Sequence, residues 1–216
     1  MPLKEIDPFI DGPLVDEPST RRVHARTDIW QGRIVAVTAE EVEVVEGSAP
    51  VTREYIIHPG AVAVVALRGE PGAEEILLER QYRHPVRANL WEIPAGLLDV
   101  EGEDYLAAAQ RELAEETDLQ AATWHVLTDY FNSPGGCTES VRIFLARDIT
   151  PTGEEFERED EEVDMVAAWC PLDEAVAAVL EGRFHNPSAV AGILAVAAAR
   201  ARGWKDLRPA DAPWMR

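Results

Sequence analysis

Glu112, Glu115 and Glu116 stand at i, i+3 and i+4 in the run Arg111-Glu112-Leu113-Ala114-Glu115-Glu116. In a helix these three carboxylates share one face. The surrounding Ala, Leu, Gln, Arg and Glu favour helix, which is predicted from about Asp104 to Thr117. Like charges at that spacing repel, by roughly 0.2–0.5 kcal/mol per pair. A helix that needed only a wet surface would gain by alternating signs. Crowded carboxylates suit a hard divalent cation instead. Mg²⁺ takes oxygen ligands in near-octahedral geometry and keeps waters and substrate phosphates in its shell, and Mn²⁺ accepts a similar set. Glu103, separated from Arg111 by seven residues, adds a fourth carboxylate to the pattern.

Other segments must position this helix. Upstream, Glu92-Ile93-Pro94-Ala95-Gly96 reads as an extended lead-in, so a backbone carbonyl beside Gly96 could reach the cation. Ala61–Leu67 is continuously apolar, as a strand buried on both faces should be. Strands are predicted at Asp28–Thr38, Glu41–Val45, Val51–Ile57, Glu75–Arg80, Thr123–Tyr130, Glu139–Ala146 and Met165–Trp169. A helix follows Pro171, with Asp173 as N-cap, and another runs from Ala189 to about Arg202 behind Asn186-Pro187-Ser188. Phe131–Ser140 is a loop whose Gly135-Gly136 pair lets a ligand approach the backbone. His125, alternating with Trp124 and Val126, reads as structural. The order strands, helix, strands, helices implies an α/β fold, a mixed sheet between helices, with an antiparallel β segment before it. Residues 1–57 form an arm and a β segment suited to pairing with a second copy. Residues 58–205 form the main domain, and 206–216 a loose, Pro-rich tail.

Charge narrows the partners. The chain has 216 residues and a formal net charge of −20. Such a polyanion is a poor partner for nucleic acid or an anionic membrane surface. Phosphate must then be met by a metal or by a local basic cluster. Arg80, Arg83 and Arg87 form the main cluster ahead of the acidic helix. Arg83 is favoured as an anion contact. For Arg80 and Arg87, anion contact and ordinary surface pairing weigh equally. Cys137 and Cys170 have no metal-ligand spacing and fit a reduced, cytoplasmic protein. No basic-then-apolar leader opens the chain, and no apolar run is long enough to span a bilayer.

The stretch from Gly96 to Leu119 resembles the Nudix box, Gly-x5-Glu-x7-Arg-Glu-aliphatic-x-Glu-Glu-x-Gly-aliphatic. It departs twice: six residues, not five, separate Gly96 from Glu103, and Asp118 stands where the box has its second Gly. Both departures concern loop geometry; neither removes a carboxylate or the arginine. Within the Nudix hydrolases the chain looks like the ADP-ribose pyrophosphatase branch. The features are the β-rich N-terminal segment, the WEIPAGLLD lead-in, Pro134 sixteen positions past Asp118, and the segment Glu161-Glu162-Val163-Asp164-Met165.

The resemblance implies roles. Glu112 and Glu116, with the Ala95 carbonyl, would bind Mg²⁺. Glu115 would support them, Arg111 would hold the carboxylates in place and Glu103 would pair with that network. Arg83 would contact the diphosphate or the terminal ribose, and Ser133, Pro134 and Gly135 would line the ribose side. Glu162 would complete the metal site or act as base, with Glu161 and Glu159 as alternatives in the same acidic loop. The implied reaction is Mg²⁺-dependent hydrolysis of ADP-ribose to AMP and ribose 5-phosphate by a homodimer. Another nucleoside diphosphate sugar, a dinucleotide, or ADP-ribose binding without turnover stay open as alternatives.

Overall fold

The structure is a computed structural model that describes residues 14–154, 156 and 165–216. Its centre is strand β4 (Ala61–Arg68), six of whose residues are fully or nearly fully buried. The apolar run is continuous because both of its faces are covered. Val62, Val64 and Ala66 look toward one helix, and Ala63, Val65 and Leu67 toward two others.

Around β4 lie β5 (Glu75–Arg83), β8 (Leu119–Phe131), β9 (Ser140–Pro151), β10 (Val166–Pro171) and β11 (Arg208–Pro209), in the sheet order β10-β5-β4-β9-β8-β11. β4 and β9 run parallel, Ala61 opposite Val141, while the other pairs are antiparallel. Two short strands attach at the side: β6 (Ala88–Glu92) on β5, and β7 (Ala95–Leu97) on β4, with Val62 opposite Gly96. Helix α1 (Tyr105–Thr117) packs on the first face through Ala108, Ala109 and Leu113. Burying Leu113 alone contributes about 1.5–3 kcal/mol. On the second face α2 (Leu172–Leu180) and α3 (Pro187–Ala201) contribute Leu172, Ala175, Ala189, Ile193 and Val196. The mixed sheet between helices expected from the sequence is therefore present.

The N-terminal β segment is a separate antiparallel sheet, β1 (Arg22–Gln31), β2 (Ala36–Glu43) and β3 (Val51–Ile57). Here the sequence reading needs correction. The run Asp28–Thr38 is not one strand: Gly32 N–H donates to Val35 O at 2.9 Å, and the chain turns between β1 and β2. The β-branched residues on both sides concealed that break. Two further corrections concern the C-terminal half. Pro171 occupies the N-cap of α2 without a side-chain cap, and Asp173, inside the first turn, pairs with Arg200 instead. The tail is not loose. Pro209 and Arg208 pair with β8, Ala212 is buried against the α1 cluster, and Arg142 binds the tail backbone.

Candidate active site

The acidic helix starts and stops for local reasons. Asp104 caps its N-terminus, its Oδ1 accepting from Leu106 N at 2.9 Å and Ala107 N at 3.2 Å, which is worth about 1 kcal/mol. At the other end Asp118 adopts the left-handed conformation, φ 57°, that a Gly would take there. Its side chain then does what Gly could not. Oδ1 accepts from Phe156 N at 2.8 Å, and the Asp118 carbonyl accepts from Thr152 N at 2.9 Å. The end of the helix is thus tied to the start of the acidic loop. The extra residue ahead of Glu103 is absorbed in a turn where Glu103 N–H donates to Val100 O and Gly102 sits at φ 78°.

One guanidinium gathers the carboxylates. Arg111 binds Glu103 in a fork, Nε to Oε1 and Nη2 to Oε2, both at 3.0 Å. Its Nη1 donates to Glu112 Oε1 at 2.7 Å and to Glu115 Oε2 at 3.0 Å. These bonds hold the Glu103 carboxyl below its ordinary pKa and raise that of Arg111. Glu112 is different. Burial pushes its pKa up, Arg111 opposes that, and the nearby charges of Glu115 and Glu103 add to the rise. Three carboxylates therefore share one cation.

The fourth glutamate points to the lead-in. Glu116 is only 5% exposed, and its Oε2 accepts from Ala95 N at 3.0 Å. That bond sets helix α1 against β7. Beside it Gly96 faces Glu112 so closely that a Cβ would stand 1.9 Å from the Glu112 Cδ. Any side chain at 96 would displace the carboxylate. Gly96 is thus the cradle in which Glu112 lies.

These residues fit a hard divalent cation in ligand type and in charge. All the donors are oxygen, and the cluster carries more negative charge than Arg111 neutralises. The fit is not a finished coordination shell: among the described residues no three His, Cys, Asp or Glu side chains already converge as a metal site. Glu162, Glu161 and Glu159 lie outside the described residues.

The substrate-side residues fall into two groups. Arg83 forks onto Glu92, Nε to Oε1 at 2.9 Å and Nη2 to Oε2 at 2.7 Å, with Glu92 buried. Its guanidinium is fixed in place. Arg80 lies over the Trp91 ring at 5.7 Å, and Arg87 sits in a left-handed turn after the 3-10 segment His84–Val86. Ser133, Pro134 and Gly135 form an exposed turn in which Ser133 O accepts from Gly136 N and Cys137 N, each at 2.9 Å. A Cβ at Gly135 or Gly136 would meet open space, so room for a ligand exists above them.

What holds this turn was not foreseen. Strand β3 reaches across from the N-terminal sheet. Ile56 N donates to Gly136 O, Thr138 N donates to Ile56 O, and His58 N donates to the Thr138 hydroxyl, all at 2.9 Å. The only local sign was the punctuation His58-Pro59-Gly60, which marks a turn and says nothing of its partner. His125, read as structural, lies on β8, where burial and then Arg147 lower its pKa.

Comparison with known proteins places the chain among relatives. Residues 57–191 match the NUDIX domain family. The chain is 44% identical over 184 residues to an ADP-ribose pyrophosphatase of Mycobacterium tuberculosis, covering 85% of this chain and 86% of that protein. It is 34% identical over 166 residues to a methanol dehydrogenase activator of Bacillus methanolicus, covering 76% and 86%. The crystal structure of an ADP compounds hydrolase superposes with a TM-score of 0.69 at 21% identity, covering 88% of this chain and 99% of that one; it supports the fold.

Proposed function

This chain belongs to the Nudix family, and from that premise we propose that it hydrolyses the diphosphate bond of ADP-ribose, yielding AMP and ribose 5-phosphate. The observation that carries the reading is the crowding of Glu103, Glu112 and Glu115 onto Arg111, with Glu112 laid against Gly96. The relative from Mycobacterium tuberculosis, similar along most of both chains, supplies the substrate.

Glu112 and Glu116, with the Ala95 carbonyl, would hold Mg²⁺, for which Mn²⁺ would be a substitute. A bound divalent ion supplies neutralisation of the diphosphate oxygens and a more acidic water. Arg111 keeps Glu112 and Glu115 together against their mutual repulsion, and Glu103 keeps Arg111 itself in place. Glu115 supports the cation-binding pair. Glu162 completes the cation site or takes the proton of the attacking water. Arg83, braced by Glu92, meets the diphosphate or the terminal ribose. Ser133, Pro134 and Gly135 line the ribose side.

The protein acts as a homodimer through residues 1–57, in which β1 is exposed throughout and offers Val23, Ile29 and Trp30 to a partner. The division at residues 57 and 205 belongs to the same reading. The two cysteines are free thiols, which suits the cytoplasm.

Incubation with ADP-ribose and Mg²⁺ in heavy-oxygen water tests the proposal. AMP and ribose 5-phosphate form, one of them carries the label, and its position names the phosphorus attacked. Tight ADP-ribose binding with no product over hours would mark a sensor. Faster AMP release from another nucleoside diphosphate sugar or from a dinucleotide would move the substrate assignment.

A further inference from the structure

The C-terminal residues 208–216 are built into the molecule by a chain of polar contacts. Arg142, 1% exposed, grips Asp129 through Nε and Nη2 at 2.8 and 3.1 Å. It donates to Ala212 O at 2.7 Å and Pro213 O at 3.0 Å. Arg208 adds a bond to Asp129 at 2.8 Å. Thus guided, Trp214 stacks edge-on against Tyr105, the first residue of α1, with centroids 5.0 Å apart.

This path delivers Arg216 to the edge of the candidate site. Its Nη2 donates to Pro59 O at 2.6 Å, and its guanidinium carbon lies 5.4 Å from the Tyr105 ring and 5.1 Å from the Trp214 ring. Nη1 lies 3.4 Å from where a Cβ on Gly60 would stand. Gly60 in turn accepts from Leu98 N, in the lead-in to α1, through its carbonyl at 3.1 Å. Two cavities meet at Arg216. One, of about 450 Å³, is lined by Leu98, Glu103, Asp104 and Tyr105. The other, of about 500 Å³, is lined by His58, Phe131, Pro134 and Thr138. Arg216 is common to both.

A guanidinium has five N–H donors. In Arg216 one is bound to Pro59 O, and among the described residues no carboxylate pairs with it. Two rings and a carbonyl hold the group still, so little freedom is lost when it meets a ligand. Its charge faces the turn at Pro134 in a chain of net charge −20. We infer that Arg216 is a substrate-binding residue, whose guanidinium holds the sugar-side phosphate of a nucleoside diphosphate sugar between the α1 lead-in and the Pro134 turn. The inference rests on the substrate class proposed above.

The test compares wild type with Arg216→Gln and Arg216→Lys. With ADP-ribose, Arg216→Gln raises KM about tenfold and leaves kcat within about twofold, the signature of a contact made equally in ground and transition states. Arg216→Lys, which keeps the charge, falls between. Inhibition by ribose 5-phosphate weakens with KM in Arg216→Gln, while inhibition by AMP is unchanged. Melting temperatures of all three agree within about 2 °C, because the residue is exposed. An unchanged KM, an equal loss of AMP and ribose 5-phosphate inhibition, or a fall in kcat with a lower melting temperature would each overturn the inference. Should wild type release no AMP from ADP-ribose, the substrate reading fails. Calorimetric titration of ribose 5-phosphate into wild type and Arg216→Gln then decides the role of Arg216 separately: weaker binding in the variant supports it, and equal binding or none in both overturns it.

Discussion

Arg111 and Arg142 each gather acidic and polar groups around one guanidinium, yet the two clusters are opposites in balance. Arg142 is buried, takes one carboxylate in a fork, and gives two further donors to two backbone carbonyls. Asp129, its partner, also receives Arg208. Charge there is matched or exceeded by cations, and the bonds tie β8, β9 and the tail to one another. Arg111 is partly exposed and serves three carboxylates, Glu103, Glu112 and Glu115, with Glu116 one turn further on. Folding stability alone does not favour that excess. A balanced buried cluster ties elements together, and an unbalanced one at a cleft edge leaves charge for a ligand to complete.

Substitutions at the two clusters should separate these roles. The largest effect is expected at the cation ligands: Glu112→Gln and Glu116→Gln each lower kcat by on the order of 100-fold or more, at least what loss of a metal's outer partners costs. Both variants should melt near wild type. Turnover surviving in either, at ordinary Mg²⁺, would end the metal-site reading. Gly96→Ala comes next. Its Cβ would fall 1.9 Å from the Glu112 Cδ, so the carboxylate must move, and kcat should drop roughly 10–100-fold. An unimpaired Gly96→Ala enzyme would show that the seat of Glu112 is immaterial.

The arginines make the direct contrast. Arg111→Gln should lower kcat by about 10–100-fold with a small change in melting temperature. Arg142→Gln should cost about 3 kcal/mol, toward the lower end for a broken buried pair because Arg208 still reaches Asp129. In a chain of this length that is about 10 °C in Tm, and the folded fraction should retain kcat. If the pattern reversed, stability lost at 111 and turnover at 142, the distinction between the clusters would be wrong. The smallest effect is expected at Asp118→Gly. Relief of the left-handed backbone and loss of the bond to Phe156 N oppose each other, so chemical denaturation should shift by within about 1 kcal/mol.

The sheet expectations failed and succeeded for related reasons. The continuous apolar run Ala61–Leu67 was legible because burial on both faces leaves no polar positions. The break between β1 and β2 was not, because residues on both sides favour strand and a short turn leaves little trace in such a run. The α2 cap was misread because Asp173 suits an N-cap by type, while its actual partner, Arg200, lies on another helix. A short tail with two prolines reads as loose until a buried cation is found to bind its carbonyls.

Helix α1 and the sharing of one face by Glu112, Glu115 and Glu116 were both written in the order of residues, since a helix turns spacing directly into geometry. So was the neighbourhood of Arg111 and Glu115, one turn apart. Contacts between segments distant along the chain were not. The pressing of Gly96 against Glu112, the clipping of the Pro134 turn by β3, and the arrival of Arg216 beside Tyr105 each depend on which strands become neighbours. That choice is made by burial of the whole core at once, and no local run of residues encodes it.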